Sequence, residues 1–341
     1  MSGRKLVLLG STFAGVGVVV LLIVLWPFGS DSSSPPSQVR SSPQVTVIPY
    51  DGDEEPPRTP SPTAHPTQSV GGDADTPTPQ PEGCQPHPGP DPLTDTQLLS
   101  YYGNPYTADM GILGELSPET LVQELKAHAQ LYDSLNGPRG VQGALHLVYA
   151  TAQGDPGREG LYLLYVDEET LREYIDLACE NGLLIFLDLQ IGRSDVPSEL
   201  TKILPYLEQP HVHVALDPEF AMPQGEVPGE SIGSLDAADV NAAQAILQDF
   251  LEGGDLPDKI LIVHQFTQNM LTNPELIDDL PRVKLVIDMD GFGPSEIKRV
   301  KYGWFAAPAE YSGVKLFFRH DTDLMSEQEV LELNPDVIIY Q

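Results

Sequence analysis

The chain has 341 residues and sets 50 acidic side chains against 18 basic ones, for a formal net charge of −32. That length suffices for one large domain or two ordinary ones. The charge repels nucleic acid and anionic headgroups, which need Lys and Arg to neutralise phosphate; nucleic acid is therefore not an expected partner, and the acids read mainly as a solvated surface.

Arg4 and Lys5 precede an almost wholly apolar run from Leu6 to Phe28. The run exceeds the roughly 20 residues that a helix needs to cross a bilayer, and it is longer than a usual signal-peptide core. No small-x-small cleavage site precedes Ser30, and no cysteine stands at the end of the run for lipid attachment. Basic residues on its N-terminal side favour keeping that side in the cytoplasm. Residues 1–28 thus read as an uncleaved, single-pass membrane anchor; a cleaved secretory signal is the alternative, and both export the body of the chain. Residues 29–92 are mostly Ser, Thr, Pro, Gly and acids, as in "SDSSSPPS", "PPRTPSPTAHPTQ" and "DTPTPQPEG". Such a composition cannot bury enough apolar surface to offset its ordering entropy, and its prolines stiffen it toward extended polyproline II. The segment is expected to be a disordered stalk.

From Leu93 to Gln341 the texture changes, and apolar runs of strand length alternate with stretches of helical period. "LLSYYGN" (98–104) precedes "SPETLVQELKAHAQLYDSLNG", which opens with Ser117 as N-cap and Pro118 at the first helical position. "GALHLVYATA" (143–152) precedes "DEETLREYIDLACENG", which closes on Asn-Gly. "LLIFLDLQIG" (183–192) precedes "VPSELTKILPYLEQ", and "HVHVALDPEF" precedes "SLDAADVNAAQAILQDFLEGG". "KILIVHQFT" (259–267) precedes "NPELIDDLP", and "VKLVIDMDGFG" (283–293) precedes "PSEIKRVKYG". "VKLFFRHDT" (314–322) precedes "MSEQEVLELNP", and "DVIIYQ" (336–341) follows. Strands alternating with helices pair in parallel, and runs apolar on both faces are covered by helices. Eight such strands in about 250 residues match an α/β protein of the (β/α)8 TIM-barrel class. The last strand would close beside the first, with no helix after it. A doubly wound open sheet would offer a glycine-rich phosphate turn after an early strand, and none is present.

The active site of such a barrel lies where the strands end, and polar residues gather there. The third run ends in Asp188 and Gln190, the fourth in Asp217-Pro218-Glu219, and the fifth in His264-Gln265. The sixth ends in Asp288 and Asp290, and the seventh in Arg319-His320-Asp321. Residues two apart on a strand share a face, so three pairs, Asp188 with Gln190, Asp217 with Glu219 and Asp288 with Asp290, can each point at the barrel axis. Pro218 cannot donate to a strand ladder, which suits a strand that stops as its acids emerge, and equally a plain turn. Tyr102 on the first strand adds an aromatic face for a sugar, while Trp304-Phe305 reads as packing.

Two carboxyl groups flanking a bond suit glycoside hydrolysis, one as proton donor and the other as base, nucleophile or electrostatic helper. Asp-x-Glu closing the fourth strand of a barrel resembles the signature of the chitinase-type (family 18) and lysozyme-type (family 25) glycoside hydrolases. That resemblance implies Glu219 as the proton donor and Asp217 as its helper; Asp188, Gln190, His264, Gln265, Asp290, Arg319 and Tyr102, gathered at the strand ends, are the residues expected to bind substrate. The chain departs from the chitinase type at Val212 and Ala215, where that type has acids, and at Met289-Asp290, where it has Tyr-Asp. It also lacks the first-strand Asp of the lysozyme type. A broader resemblance rests on "YYGNPYTADMGILGE", "LDLQIGRSD", "LDPEFAMPQGEVPGESIGS", "VHQFT" and "DGFG". Together these are similar to a group of exported barrels of actinobacteria and their relatives, often described simply as lipoproteins, which implies fold and export but no activity.

No cofactor and no metal site are expected. There is no Cys-x-x-Cys, no His-x-His stands on the first strand, and the "HVH" at 211–213 begins the fourth strand, at the stability end of a barrel. Cys179, on the packed face of a helical run, reads as a buried thiol and Cys84 as a linker thiol, although an even count outside the cell also permits a disulfide. The reading is an exported, membrane-tethered hydrolase whose partner is a carbohydrate or cell-wall polymer. The alternatives are a non-catalytic surface module that binds glycan or protein, and a metal-dependent hydrolase. Arginines cross-pairing the acids would favour the module, and His264 gathered with three acids would favour the metal.

Overall fold

The structure is a computed structural model and describes residues 91–341. The expected anchor (1–28), stalk (29–92, save its last two residues) and Cys84 lie outside the described residues. Among the described residues no helix is long and apolar enough to cross a membrane.

Eight parallel strands close into a barrel. They are β1 (Thr96–Gly103), β2 (Gly140–Ala152), β3 (Leu184–Gly192), β4 (Val212–Ala221), β5 (Lys259–Gln265), β6 (Val283–Met289), β7 (Tyr311–Leu316) and β8 (Val337–Tyr340). Closure is made by β1, which pairs β2 on one side (Leu98 opposite Gln142) and β8 on the other (Leu98 opposite Val337). All eight expected strands are present, and the last does lie beside the first.

Six α-helices cover the outside: α1 (Pro118–Leu135), α2 (Glu168–Glu180), α3 (Val196–Leu207), α4 (Ala237–Glu252), α5 (Ser295–Phe305) and α6 (Glu327–Leu331). Local chemistry starts and stops them. Ser117 accepts from Thr120 N and Asp167 from Thr170 N, each satisfying an amide that has no partner within its helix. After α2, Gly182 takes φ 65° and lets Leu183 N reach Ala178 O at 2.8 Å, the left-handed stop that a side chain would resist. The buried stripe of α1 (Leu121, Val122, Leu125, Ala129, Tyr132) packs on the outer face of the strands. Each such fully buried leucine contributes about 1.5–3 kcal/mol.

The helix expected between β5 and β6 does not form. "NPELIDDLP" carries only the 3-10 turn Pro274–Leu276, entered through Asn273 in a left-handed conformation (φ 53°). Side chains of α4 hold the rest extended: Asn241 donates to Leu276 O and accepts from Asp278 N, and Gln244 donates to Asp278 O. These bonds satisfy the backbone locally and compete with helix. A groove of about 1310 Å³ lies beside this segment, lined in part by Leu285, Ile287, Trp304 and Phe305. Trp304 itself is 67% exposed, so only Phe305 packs as expected.

Cys179 is disulfide-bonded, which corrects the expectation of a buried free thiol.

Candidate functional site

Apolar side chains such as Leu98, Phe186, Ile262 and Ile339 fill much of the barrel interior. The layer toward the strand ends is polar instead. His146 on β2 and His264 on β5 have two strands, β3 and β4, between them in the sheet, yet their rings lie 5.3 Å apart, so they meet across the interior. Asp188 on β3 sits between them, with its Oδ2 3.3 Å from His146 Nε2 and 3.5 Å from His264 Nε2. None of the three side chains is exposed at all. On its other edge, His264 Nδ1 lies 2.8 Å from Asp288 Oδ2, a hydrogen bond in which the ring donates to the carboxylate, and 3.7 Å from Asp290 Oδ2. Lys315 Nζ on β7 donates to Asp290 Oδ2 at 3.0 Å and stands 3.5 Å over the ring of Tyr102. Gly313 leaves room for Asp288, since a Cβ there would lie 2.7 Å from that carboxylate's oxygen.

The fourth strand adds the expected pair. Asp217 is buried and takes a long hydrogen bond (3.4 Å) from Gln190 Nε2, whose Oε1 in turn accepts from Ala152 N at 2.7 Å. Glu219, at the outer end, keeps part of its surface open to solvent. The loop after β4 folds back on it: Gly233 N donates to Glu219 O at 2.6 Å, and Met222 N donates to Gly192 O. A side chain at Gly233 would meet Ala221 O at 2.4 Å, so the loop seats there only with glycine.

Electrostatics divide these carboxyls. Burial alone would raise the pKa of Asp188, but the flanking His146 and His264 rings outweigh it and hold the group well below the usual carboxylate range. Burial raises Asp217, and the charges of Asp188 and Asp290 push it further, up to about 7. Glu219 is likewise driven well above its ordinary value, first by burial and then by Asp217 and Asp290. Burial pushes His146 down to about 4, against the pull of Asp188. Burial also opposes the charge on His264, but Asp188 and Asp288 raise that ring well above 6.5.

The expected residues therefore part company. Asp188, Gln190, Asp217, His264, Asp290 and Tyr102 come together, with Asp288, while Glu219 stands at the outer end of the same strand as Asp217. Gln265, next to His264, has the opposite parity; it lines the outer groove and donates to Thr267 O, so it does not join the cluster. Arg319 is more than half exposed and pairs with Glu115 at 2.9 Å, because β7 ends at Leu316 and the chain turns before Arg319. Asp321 pairs with Lys298, and Arg193 donates to Glu226 O and stacks on Tyr162. Neither arginine has an ion pair with any of the three acid pairs. His211 and His213 bond to the backbone of Ile175 and Ile260, as fits a structural "HVH".

Sequence reasoning missed His146 and Lys315. Each is a single polar residue inside an apolar strand ("GALHLVYATA", "VKLFF") and not at its end. The available signal was parity, since His146 falls in step with Ala144 and Val148, which face the barrel interior.

No family model and no curated protein match the chain. Among solved structures, oxaloacetate acetylhydrolase in complex with the product oxalate is 13% identical with a TM-score of 0.40, over 72% of this chain and 75% of that one. The figures for 2,3-dimethylmalate lyase, a PEP mutase/isocitrate lyase superfamily member, are 13%, 0.38, 72% and 76%. For the cellulase Cel5C_n they are 13%, 0.38, 72% and 75%. Likenesses at this level carry no argument about activity.

Proposed function

We propose that the chain is a hydrolase of cell-envelope or environmental glycans, exported and held at the membrane by residues 1–28, with Glu219 as the proton donor and Asp217 as its helper. One observation carries this reading: carboxyl groups at one end of a barrel have their pKa values driven in opposite directions. Asp188 stays ionised while Asp217, raised to about 7, and Glu219 retain protons near neutrality. Opposed environments of this kind are how acid and base roles are divided between like groups. Glu219 is the member of the set that keeps part of its surface open to solvent, which supports giving it the donor role at a glycosidic oxygen. Asp188 and His264 are wholly buried and act on Asp217 through their charges; they do not touch sugar.

The test is reducing-end release by the full-length chain from a panel of wall glycans and soluble polysaccharides, with Glu219→Gln run alongside. The parent should release product, and the variant should lose about 10²–10⁴-fold in rate, the range that a positioned general acid contributes. Silence from the parent across the panel would sink the hydrolase reading in favour of a tethered binding module.

A further inference from the structure

We infer that His146, Asp188 and His264 form a binding site for a divalent transition-metal ion of the Zn²⁺ type inside the barrel, with Asp288 orienting His264. Three acceptor atoms, His146 Nε2, Asp188 Oδ2 and His264 Nε2, converge within 4.8 Å of one another. None of the three has a hydrogen-bond partner, although each lies in a fully buried side chain. Buried nitrogen and carboxylate atoms face each other at this distance when a proton or a metal ion sits between them, and one proton cannot serve both rings at once. His264 has already committed Nδ1 to Asp288 at 2.8 Å, so an ion that displaces the Nε2 proton finds that nitrogen's lone pair directed toward the Asp188 side. A carboxylate on the far nitrogen of a histidine is the usual support of a metal ligand, fixing both tautomer and ring angle.

The spacing agrees with the chemistry. A tetrahedral ion with bonds of about 2.0–2.1 Å keeps its ligand atoms about 3.3–3.4 Å apart. The two nitrogen–oxygen separations here are 3.3 and 3.5 Å. Two imidazoles with one carboxylate suit zinc and its transition-metal neighbours, whereas Mg²⁺ and Ca²⁺ prefer all-oxygen shells. Three protein ligands leave one position for water. The second acid group nearby, Asp290, is taken by Lys315 at 3.0 Å, so the lysine neutralises that carboxylate and leaves Asp188 for the ion. The site needs no turnover to exist; it lies in the same barrel as the proposed acid Glu219 and is tested separately from it.

Full-length protein in detergent micelles, stripped with chelator, is titrated with Co²⁺ alone and followed by its visible d–d absorption. The parent should take up one equivalent with the intense bands of a four-coordinate nitrogen–oxygen site, and Zn²⁺ should displace it. His146→Gln and Asp188→Asn should each weaken binding at least 100-fold. Asp288→Asn should weaken it 10–100-fold, the range seen when an outer carboxylate is lost, and Glu219→Gln should bind as the parent does. His146→Gln guards against a folding artefact, since His146 makes no hydrogen bond whose loss would unfold the chain; far-UV circular dichroism checks that it folds. Failure of the parent to bind, or unchanged binding in folded His146→Gln, overturns the site. Binding by Glu219→Gln without glycan release would uphold the metal site and leave the hydrolase reading to stand or fall on its own assay.

Discussion

Lys315 is the buried lysine of this polar layer, and replacing it with methionine tests whether it holds the acids together. Its Nζ lies 3.0 Å from Asp290 Oδ2, and both side chains are less than a tenth exposed. At an effective dielectric of about 20, unit charges at that distance attract by about 5–6 kcal/mol. Burial works against the lysine's charge, but Asp290, Asp217, Asp288 and Asp188 outweigh it and hold its pKa above the ordinary value. Methionine keeps much of the apolar stem and leaves Asp290 as a buried charge without its partner, so Lys315→Met should cost about 3–5 kcal/mol. Asp290→Asn should cost less, about 1.5–3 kcal/mol, because three other acids still face the lysine. The double variant removes both charges and should recover about 1–3 kcal/mol relative to Lys315→Met. Urea unfolding of the four proteins at pH 7, with a shared m-value, closes the cycle. The reasoning fails if Lys315→Met lies within 1 kcal/mol of the parent, or if the double variant is no more stable than Lys315→Met.

Three smaller perturbations probe the same architecture. Gly313→Ala would place a Cβ 2.7 Å from an oxygen of Asp288 and 3.0 Å from its Cα; the overpacking should cost about 1–3 kcal/mol in urea unfolding, and an unchanged midpoint would mean that the strand spacing yields. Gly233→Ala would meet the backbone of Ala221 at 2.4 Å, so proteolysis of the loop after β4 should accelerate, while equal cleavage rates would show that the loop is not seated on Glu219. Asp217, at about 7 in the fold against an ordinary 3.8, keeps a proton there that the unfolded chain gives up, so stability is lost as pH rises from about 4 to 7. In chelator, Asp217→Asn should therefore gain on the parent across that window by at most about 4 kcal/mol; a flat difference would refute the raised pKa.

Much of the barrel was legible because its signals are local. Eight apolar runs, Ser117 before α1 and Asn181-Gly182 after α2 are properties of short windows, and short windows fix strands and helix ends. "NPELIDDLP" misled because its fate is decided from a distance, by Asn241 and Gln244 on α4. The site was legible by half for a related reason. Alternation correctly paired Asp188 with Gln190 and Asp288 with Asp290, but it depends on knowing where a strand ends. Taking β7 through to Asp321 drew attention to Arg319, when the strand stops at Leu316 and the cation that joins the cluster is Lys315. Gln265 failed by a single residue of parity. His146 could not be joined to His264 from the sequence, since nothing in a window relates residues that meet only across a closed barrel.

The polar layer also bears on why the barrel tolerates it. Seven nitrogen and oxygen atoms of His146, Asp188, Asp217, His264 and Asp288 are buried without a hydrogen bond from the protein. An unsatisfied buried polar atom costs about 1–3 kcal/mol, and a domain has only about 5–15 kcal/mol of net stability in total. Seven such costs together would rival the whole margin, so a layer built for stability alone would be filled by branched apolar residues, as the layers beneath it are. An ion between His146, Asp188 and His264 removes three of the seven at once, and the four that remain are His146 Nδ1 and one oxygen each on Asp188, Asp217 and Asp288. Asp217 lies at the fourth-strand end beside Glu219. A polar layer this costly, at the end of the barrel where Asp217 and Glu219 stand, is explained by a site kept for a ligand and not by stability.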